Sequence, residues 1–228
     1  LRNILLTTSA GGSAIRQGAV NLAAPMPARE WFERYLKVID AKTNVLVPFK
    51  PYSHQASILD YCDQCFVTKQ SIKIICLKSR QVGISSLFTG WAFKEASTVP
   101  HTQAIVFADV KPNARKLFRK VRYFYDELPI LMRPRSEAPR RERLEFRDPN
   151  PKALDPGLRS FIEIGTALSE TSGRAGNYHV VILSEAAFYG GIEGGEDLAA
   201  GLLSSVPKAN WRTTVVLEST PHGASGLF

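Results

Sequence analysis

The sequence predicts an α/β domain with a central, mostly parallel β-sheet flanked by helices. Three observations carry this. Compact runs rich in Val and Ile recur along the chain, helical stretches separate them, and turn or polar residues bound each run. Nearly continuous apolar runs suit strands buried on both faces, as a parallel sheet with helices on each side requires.

Taken in order, "MPAREWFERYLKVIDAK" (26–42) has apolar residues at helical spacing and begins beside a proline, so a helix is expected there. "SHQASILDYCDQCFVTKQ" (53–70) gives a second helix. The expected strands are "IKIICL" (72–77), "QAIVFAD" (103–109), "SFIEIG" (160–165), "HVVILS" (179–184) and "TTVVLES" (213–219). Helices fill 84–98, 111–127 and 196–204 between them. The segment 132–157 is proline-rich and charged, and predicts a surface excursion with a short strand at 143–147. The first twenty residues are expected to be a flexible lead-in. The chain then divides into a lead-in and helix over 1–45 and one α/β domain over 46–228.

A length of 228 residues suits one large domain, and 44% hydrophobic with 22% charged residues is ordinary for a globular protein. The net charge of +8 favours a polyanionic partner. Three cysteines, Cys62, Cys65 and Cys76, give no disulfide framework. The CxxC pair has no second pair with which to bind zinc, and reads as two thiols on a helix. No apolar run is long enough to span a membrane, and the N-terminal apolar stretch is too short for a signal peptide. A cytoplasmic setting is the expectation.

The stretch "ICLKSRQVGISSL" (75–87) runs from strand through loop to helix. A helix start offers free N–H groups and partial positive charge, glycine lets backbone approach a phosphate, and a hydroxyl can reach Mg²⁺. Here Gly83 supplies the turn, and Ser85, backed by Ser86, supplies the hydroxyl. The position usually held by lysine is Ile84. The loop carries Lys78 and Arg80 instead, and either can swing over the β- and γ-phosphates. "VVILSEAAF" then ends a strand in Glu185, where an acid can orient or deprotonate a water attacking a γ-phosphate. "VVLESTPHG" ends another strand in a Ser-Thr-Pro turn.

Together, "SRQVGIS", "VVILSEAAF" and "ESTPHG", in this order, resemble the ATPase domain of the large terminase subunit of tailed bacteriophages. "FKPYSHQASIL" (49–59) resembles that family's adenine-reading Q motif. The resemblance covers about residues 45–228. It implies an ASCE-type P-loop NTPase fold, ATP and Mg²⁺ as cofactors, and a motor that pumps DNA into procapsids. Residue by residue, it implies Gln55 as adenine reader and 78–86 as the phosphate loop (Lys78, Ser79, Arg80, Gln81, Val82, Gly83, Ile84, Ser85 and Ser86). Lys78 and Arg80 become the phosphate cations, with Arg80 favoured for its planar fork. Ser85 becomes the Mg²⁺ ligand, Glu185 the catalytic glutamate, and Ser219, Thr220 and Pro221 the coupling motif. Early placement of the loop cation is itself a family trait. The implied partners are double-stranded DNA, the portal protein, the small terminase subunit and further copies of the chain in a ring. The implied setting is the host cytoplasm and the procapsid portal vertex.

One departure stands out: the strand before the catalytic glutamate ends Ser184-Glu185 where the family has Asp-Glu. Arg174, in "TSGRAGN", is the candidate arginine finger toward a neighbouring subunit. The stretch 111–143 holds eleven Lys and Arg against four acids, and is expected to include DNA-backbone contacts, Arg140, Arg141 and Arg143 among them. Family members carry a C-terminal nuclease, and the chain is expected to lack one and not to cut DNA by itself. Two other readings are a nucleotide-binding assembly module with little hydrolysis, for which Ile84 and Ser184 are the grounds, and another P-loop translocase or helicase.

Overall fold

The computed structural model describes residues 26–40, 42–140, 142–150, 152–167 and 176–222. The lead-in, Arg141, Arg174 and the end of the chain lie outside them.

A six-stranded sheet runs in the order β3-β8-β7-β4-β6-β5. Its strands are β3 (Ile72–Leu77), β4 (Gln103–Ala108), β5 (Arg143–Phe146), β6 (Ser160–Thr166), β7 (Val180–Ser184) and β8 (Thr214–Ser219). All neighbours are parallel except β5, which pairs antiparallel with β6. The late strand β8 inserts between β3 and β7. That places the ends of these three strands side by side.

Among the described residues the helices are α1 (Ala28–Tyr35), α2 (Ser53–Val67), α3 (Ile84–Thr98), α4 (Lys111–Asp126) and α5 (Gly195–Ser204), with a 3₁₀ helix at Ala186–Gly191. The two sheet faces make two cores. Ile182, Val180 and Val216 face one that includes Leu87, Phe88 and Trp91 of α3. Val181, Leu183, Ile105 and Phe107 face the other, with Leu198 and Leu202 of α5. Side chains two apart on a strand share a face, so β7 and β8 send even-numbered residues toward α3.

Helix α3 is apolar nearly all round and is buried from Leu87 to Thr98, as a central helix must be. At Gly90 a β-carbon would lie 2.9 Å from Leu36 and 3.0 Å from Phe32, so α1 and the chain after it pack directly on this helix. Phe32, Trp31 and Phe49 belong to the α3-side core.

Two expectations need correction. The helix expected over 26–42 ends at Tyr35; Lys37–Ile39 (β1) pairs antiparallel with Leu46–Pro48 (β2). The turn is built locally: Asp40 Oδ1 accepts hydrogen bonds from Thr43 N at 2.8 Å and Lys42 N at 3.0 Å. Among the described residues the sheet is not covered on both faces throughout. β3 is an edge strand whose Ile75 and Leu77 are exposed, because α5 and the 3₁₀ helix cover β7 and β8 but not β3. The expected surface excursion over 132–157 carries its short strand, at Arg143–Phe146, and its arginines tie it down. Arg135 pairs with Asp148, and Arg147 pairs with Glu137 at 2.6 Å.

Candidate nucleotide site

The loop between β3 and α3 is shaped by backbone and by one buried amide. Gly83 has φ +74° and accepts the first helical hydrogen bond, from Leu87 N at 3.0 Å. A β-carbon there would stand 2.6 Å from Gln55 Nε2, and only glycine meets both constraints. Gln55 is buried at the start of α2. Its Oε1 accepts Tyr52 N–H at 2.9 Å, and its Nε2 donates to Val82 C=O at 3.3 Å. The residue read as adenine reader is therefore also a strut beneath the loop, and one N–H remains free of these two bonds.

Ile84 is buried in the α3-side core, so the usual lysine position is occupied by a packing residue. The loop cations occupy different places. Arg80, with Ser79 and Gln81, is exposed. Lys78 turns inward, its side chain 8% exposed, and lies 2.6 Å from Glu185 Oε1 and 3.1 Å from Glu218 Oε2.

Glu185 follows β7 in the left-handed region, φ +59°. That conformation is costly for a non-glycine residue and throws the side chain back across the strand ends. Its Oε2 accepts the Thr220 N–H and hydroxyl, each at 3.1 Å. Burial works to raise its pKa, yet Lys78 and the Thr220 donors hold the carboxyl below its ordinary value. Lys78 shows the converse: burial opposes its charge, but its two carboxylates raise its pKa. Ser219 and Thr220 are buried, and Lys78 N donates to Ser219 C=O at 2.9 Å, so the Ser-Thr turn is hydrogen-bonded to both loop and glutamate. Pro221 is exposed beyond it, and His222 stacks on Phe188 with ring centres 4.1 Å apart.

Two residues of the site went unread in the sequence. Glu218 is fully buried; Ser184 Oγ donates to its Oε1. Its Oε2 is paired with Lys78 Nζ at 3.1 Å, an ammonium it shares with Glu185, and takes no hydrogen bond from any other described residue. A charge inside an apolar strand, "VVLES", was the available signal. The other is Lys120 of α4, one of the basic run assigned to DNA. It donates from Nζ to Ser86 Oγ at 2.7 Å, and burial lowers its pKa against the pull of Glu218. A cavity of about 270 Å³ opens there, lined by Ser86, Lys116, Lys120, Tyr123 and Val38.

The donors suit Mg²⁺. The Ser85 and Ser86 hydroxyls and the Glu218 carboxylate are hard oxygen donors, and Mg²⁺ keeps several waters, so few protein groups are needed. No group of three or more His, Cys, Asp or Glu side chains among the described residues is arranged to hold a metal ion. Cys62 and Cys65 are buried on α2.

No family model matches the sequence, and no curated protein matches it. Solved structures do. The HK97 bacteriophage large terminase superimposes with a TM-score of 0.65 at 14% identity, over 86% of this chain and 37% of that one. The ATPase domain of the Thermus phage P74-26 large terminase gives 0.58 at 20% identity, over 87% and 71%. A point mutant of that domain gives 0.53 at 21%. The fold is that of a phage large-terminase ATPase domain. The chain spans little more than a third of the HK97 large terminase.

Proposed function

We propose that this chain is the ATPase domain of a viral genome-packaging motor, coupling ATP hydrolysis to translocation of double-stranded DNA into a procapsid. The observation that carries the reading is the carboxylate of Glu185, held between Lys78 and Thr220 at the strand ends beside the loop that opens α3.

In this reading, the N–H groups at the start of α3 and the exposed Arg80 bind the phosphates, and the remaining N–H of Gln55 reads adenine. Ser85 holds Mg²⁺, which when bound neutralises phosphate charge. Glu185 keeps one carboxylate oxygen on Thr220 and the other on Lys78, and movement off Lys78 frees that oxygen to align the attacking water. A carboxylate held low in pKa stays ionised and so accepts the water's hydrogen bond at neutral pH. Thr220 bonds the same carboxylate, so a change at Glu185 pulls on 219–221, the coupling segment. DNA, the portal, the small terminase subunit and a ring of copies are the proposed partners. The host cytoplasm and portal vertex are the proposed setting. Arg174 remains the proposed trans-acting finger.

Steady-state ATP hydrolysis at high protein concentration, with and without double-stranded DNA, tests this beside Glu185→Ala. Loss of about a hundredfold or more in Mg²⁺-dependent turnover is expected, the scale of a general base. Turnover that survives the substitution would sink the assignment. Ser184, in place of an acid, favours a second reading: an assembly module that binds nucleotide without turnover. Nucleotide binding with no hydrolysis, even with DNA and portal present, would select it.

A further inference from the structure

Resting on the ATP-site reading, we propose that Glu218 supplies the divalent-cation site with the carboxylate that position 184 lacks, and that Ser184 orients it. Glu218 pairs in register with Ser184 on β7 and with Cys76 on β3. Paired residues of parallel strands share a face. Ile182 and Val216, two residues earlier on their strands, face the α3 layer. Ser184 and Glu218 therefore both point toward the layer of α3, at the strand ends from which the phosphate loop leaves.

Moving an acid one strand sideways displaces its backbone by about 4.8 Å. Glutamate has a longer arm than aspartate, and here that arm reaches back until Oε1 meets the Ser184 hydroxyl. The pair is an acid divided between two strands, with position 184 supplying a donor and position 218 the charge.

A fully buried carboxylate needs a reason. Lys78 is part of it, but one ammonium is shared between Glu185 and Glu218. The second oxygen of Glu218 has only that shared ammonium, and no other donor among the described residues. A metal-bound water or the Ser85 hydroxyl is the kind of donor it lacks, and carboxylates behind a metal's direct ligands tune its affinity.

The test is a Mn²⁺ titration, read by electron paramagnetic resonance of free Mn²⁺, with the chain and a non-hydrolysable ATP analogue. Glu218→Gln keeps shape and removes charge. It should weaken Mn²⁺ binding by about tenfold or more, while analogue binding in EDTA stays at the wild-type level. The double variant Ser184→Asp with Glu218→Gln returns an acid to the strand end and should recover most of the affinity. Ser184→Ala, a small change that should fold, is expected to weaken Mn²⁺ binding about threefold. It decides the matter if Glu218→Gln does not fold. Wild-type Mn²⁺ affinity in whichever of the two folds overturns the proposal and leaves Glu218 as a counter-ion of Lys78. Absence of analogue binding by the wild type, with or without metal, overturns the ATP-site reading and this proposal with it.

Discussion

The strand ends of β3, β7 and β8 bury their charges against one another, whereas α4 holds most of its charges out to solvent. At the strand ends Lys78, Glu185, Glu218, Ser184 and Thr220 satisfy one another over short distances. On α4, Ala114, Leu117, Val121 and Phe124 face the core, and Lys111, Arg115, Lys116, Arg119 and Arg122 are exposed. The difference follows from dielectric surroundings. Buried charges persist only when paired, and their geometry becomes fixed. Exposed charges need no partner, hold no fixed geometry and remain available to a polyanion. The first arrangement suits chemistry, the second suits sequence-independent grip.

Removal of the buried cation should produce the largest effect on this division. Lys78→Met leaves two carboxylates sharing a buried site, and should cost about 3 kcal/mol in denaturant unfolding. An unchanged midpoint would mean that the strand-end charges do not depend on one another.

Arg143 shows that the basic segment itself is divided. Its guanidinium lies 3.6 Å from the Phe161 ring centre, with Glu145 and Glu163 each at 3.4 Å, so it is folded onto the sheet edge. Arg143→Ala should cost about 1 kcal/mol, measured by thermal melting, and a neutral result would return Arg143 to the exposed class. Arg140, by contrast, has a side chain 82% exposed.

Acid and base titrations give a smaller effect with a definite sign. The folded Glu185 carboxyl lies below its ordinary 4.5, so its contribution is present above pH 4.5 and lost as pH falls further. The folded Lys78 ammonium lies above its ordinary 10.5, so its contribution is present below pH 10.5 and lost as pH rises further. Stability measured against pH should lose part of its acid limb in Glu185→Gln. Identical limbs in variant and wild type would contradict the pairing.

The smallest effect on stability belongs to α4. Arg115, Arg119 and Arg122 changed together to alanine should leave unfolding within about 0.5 kcal/mol. The same variant should weaken DNA binding and flatten its dependence on salt, read by fluorescence anisotropy. The log–log slope should fall by about one for each DNA phosphate that the variant no longer neutralises. An unchanged salt slope would remove α4 from the DNA-binding surface.

Much of this was legible in the residues. Strands β3, β4, β6, β7 and β8 lie within a residue of the runs "IKIICL", "QAIVFAD", "SFIEIG", "HVVILS" and "TTVVLES", and α3 spans the expected 84–98. Continuous apolar runs between turn residues leave a chain few alternatives. The β1–β2 hairpin was less legible, because "WFERYLKVI" keeps helical spacing while the Asp40 turn and cross-strand pairing override it. Lys120 was indistinguishable from its basic neighbours on α4, since only packing decides which of them turns inward to Ser86.

The α/β class, the order of loop, acid and Ser-Thr turn, and the absence of a lysine at position 84 all follow from the residues alone. These are properties of neighbours along the chain, governed by periodicity and local backbone preference. That β8 lies between β3 and β7, and that Glu218 therefore stands beside Ser184 and Lys78, came only with the packed fold. Strand order is set by how whole faces bury one another, and no short run of residues carries that information.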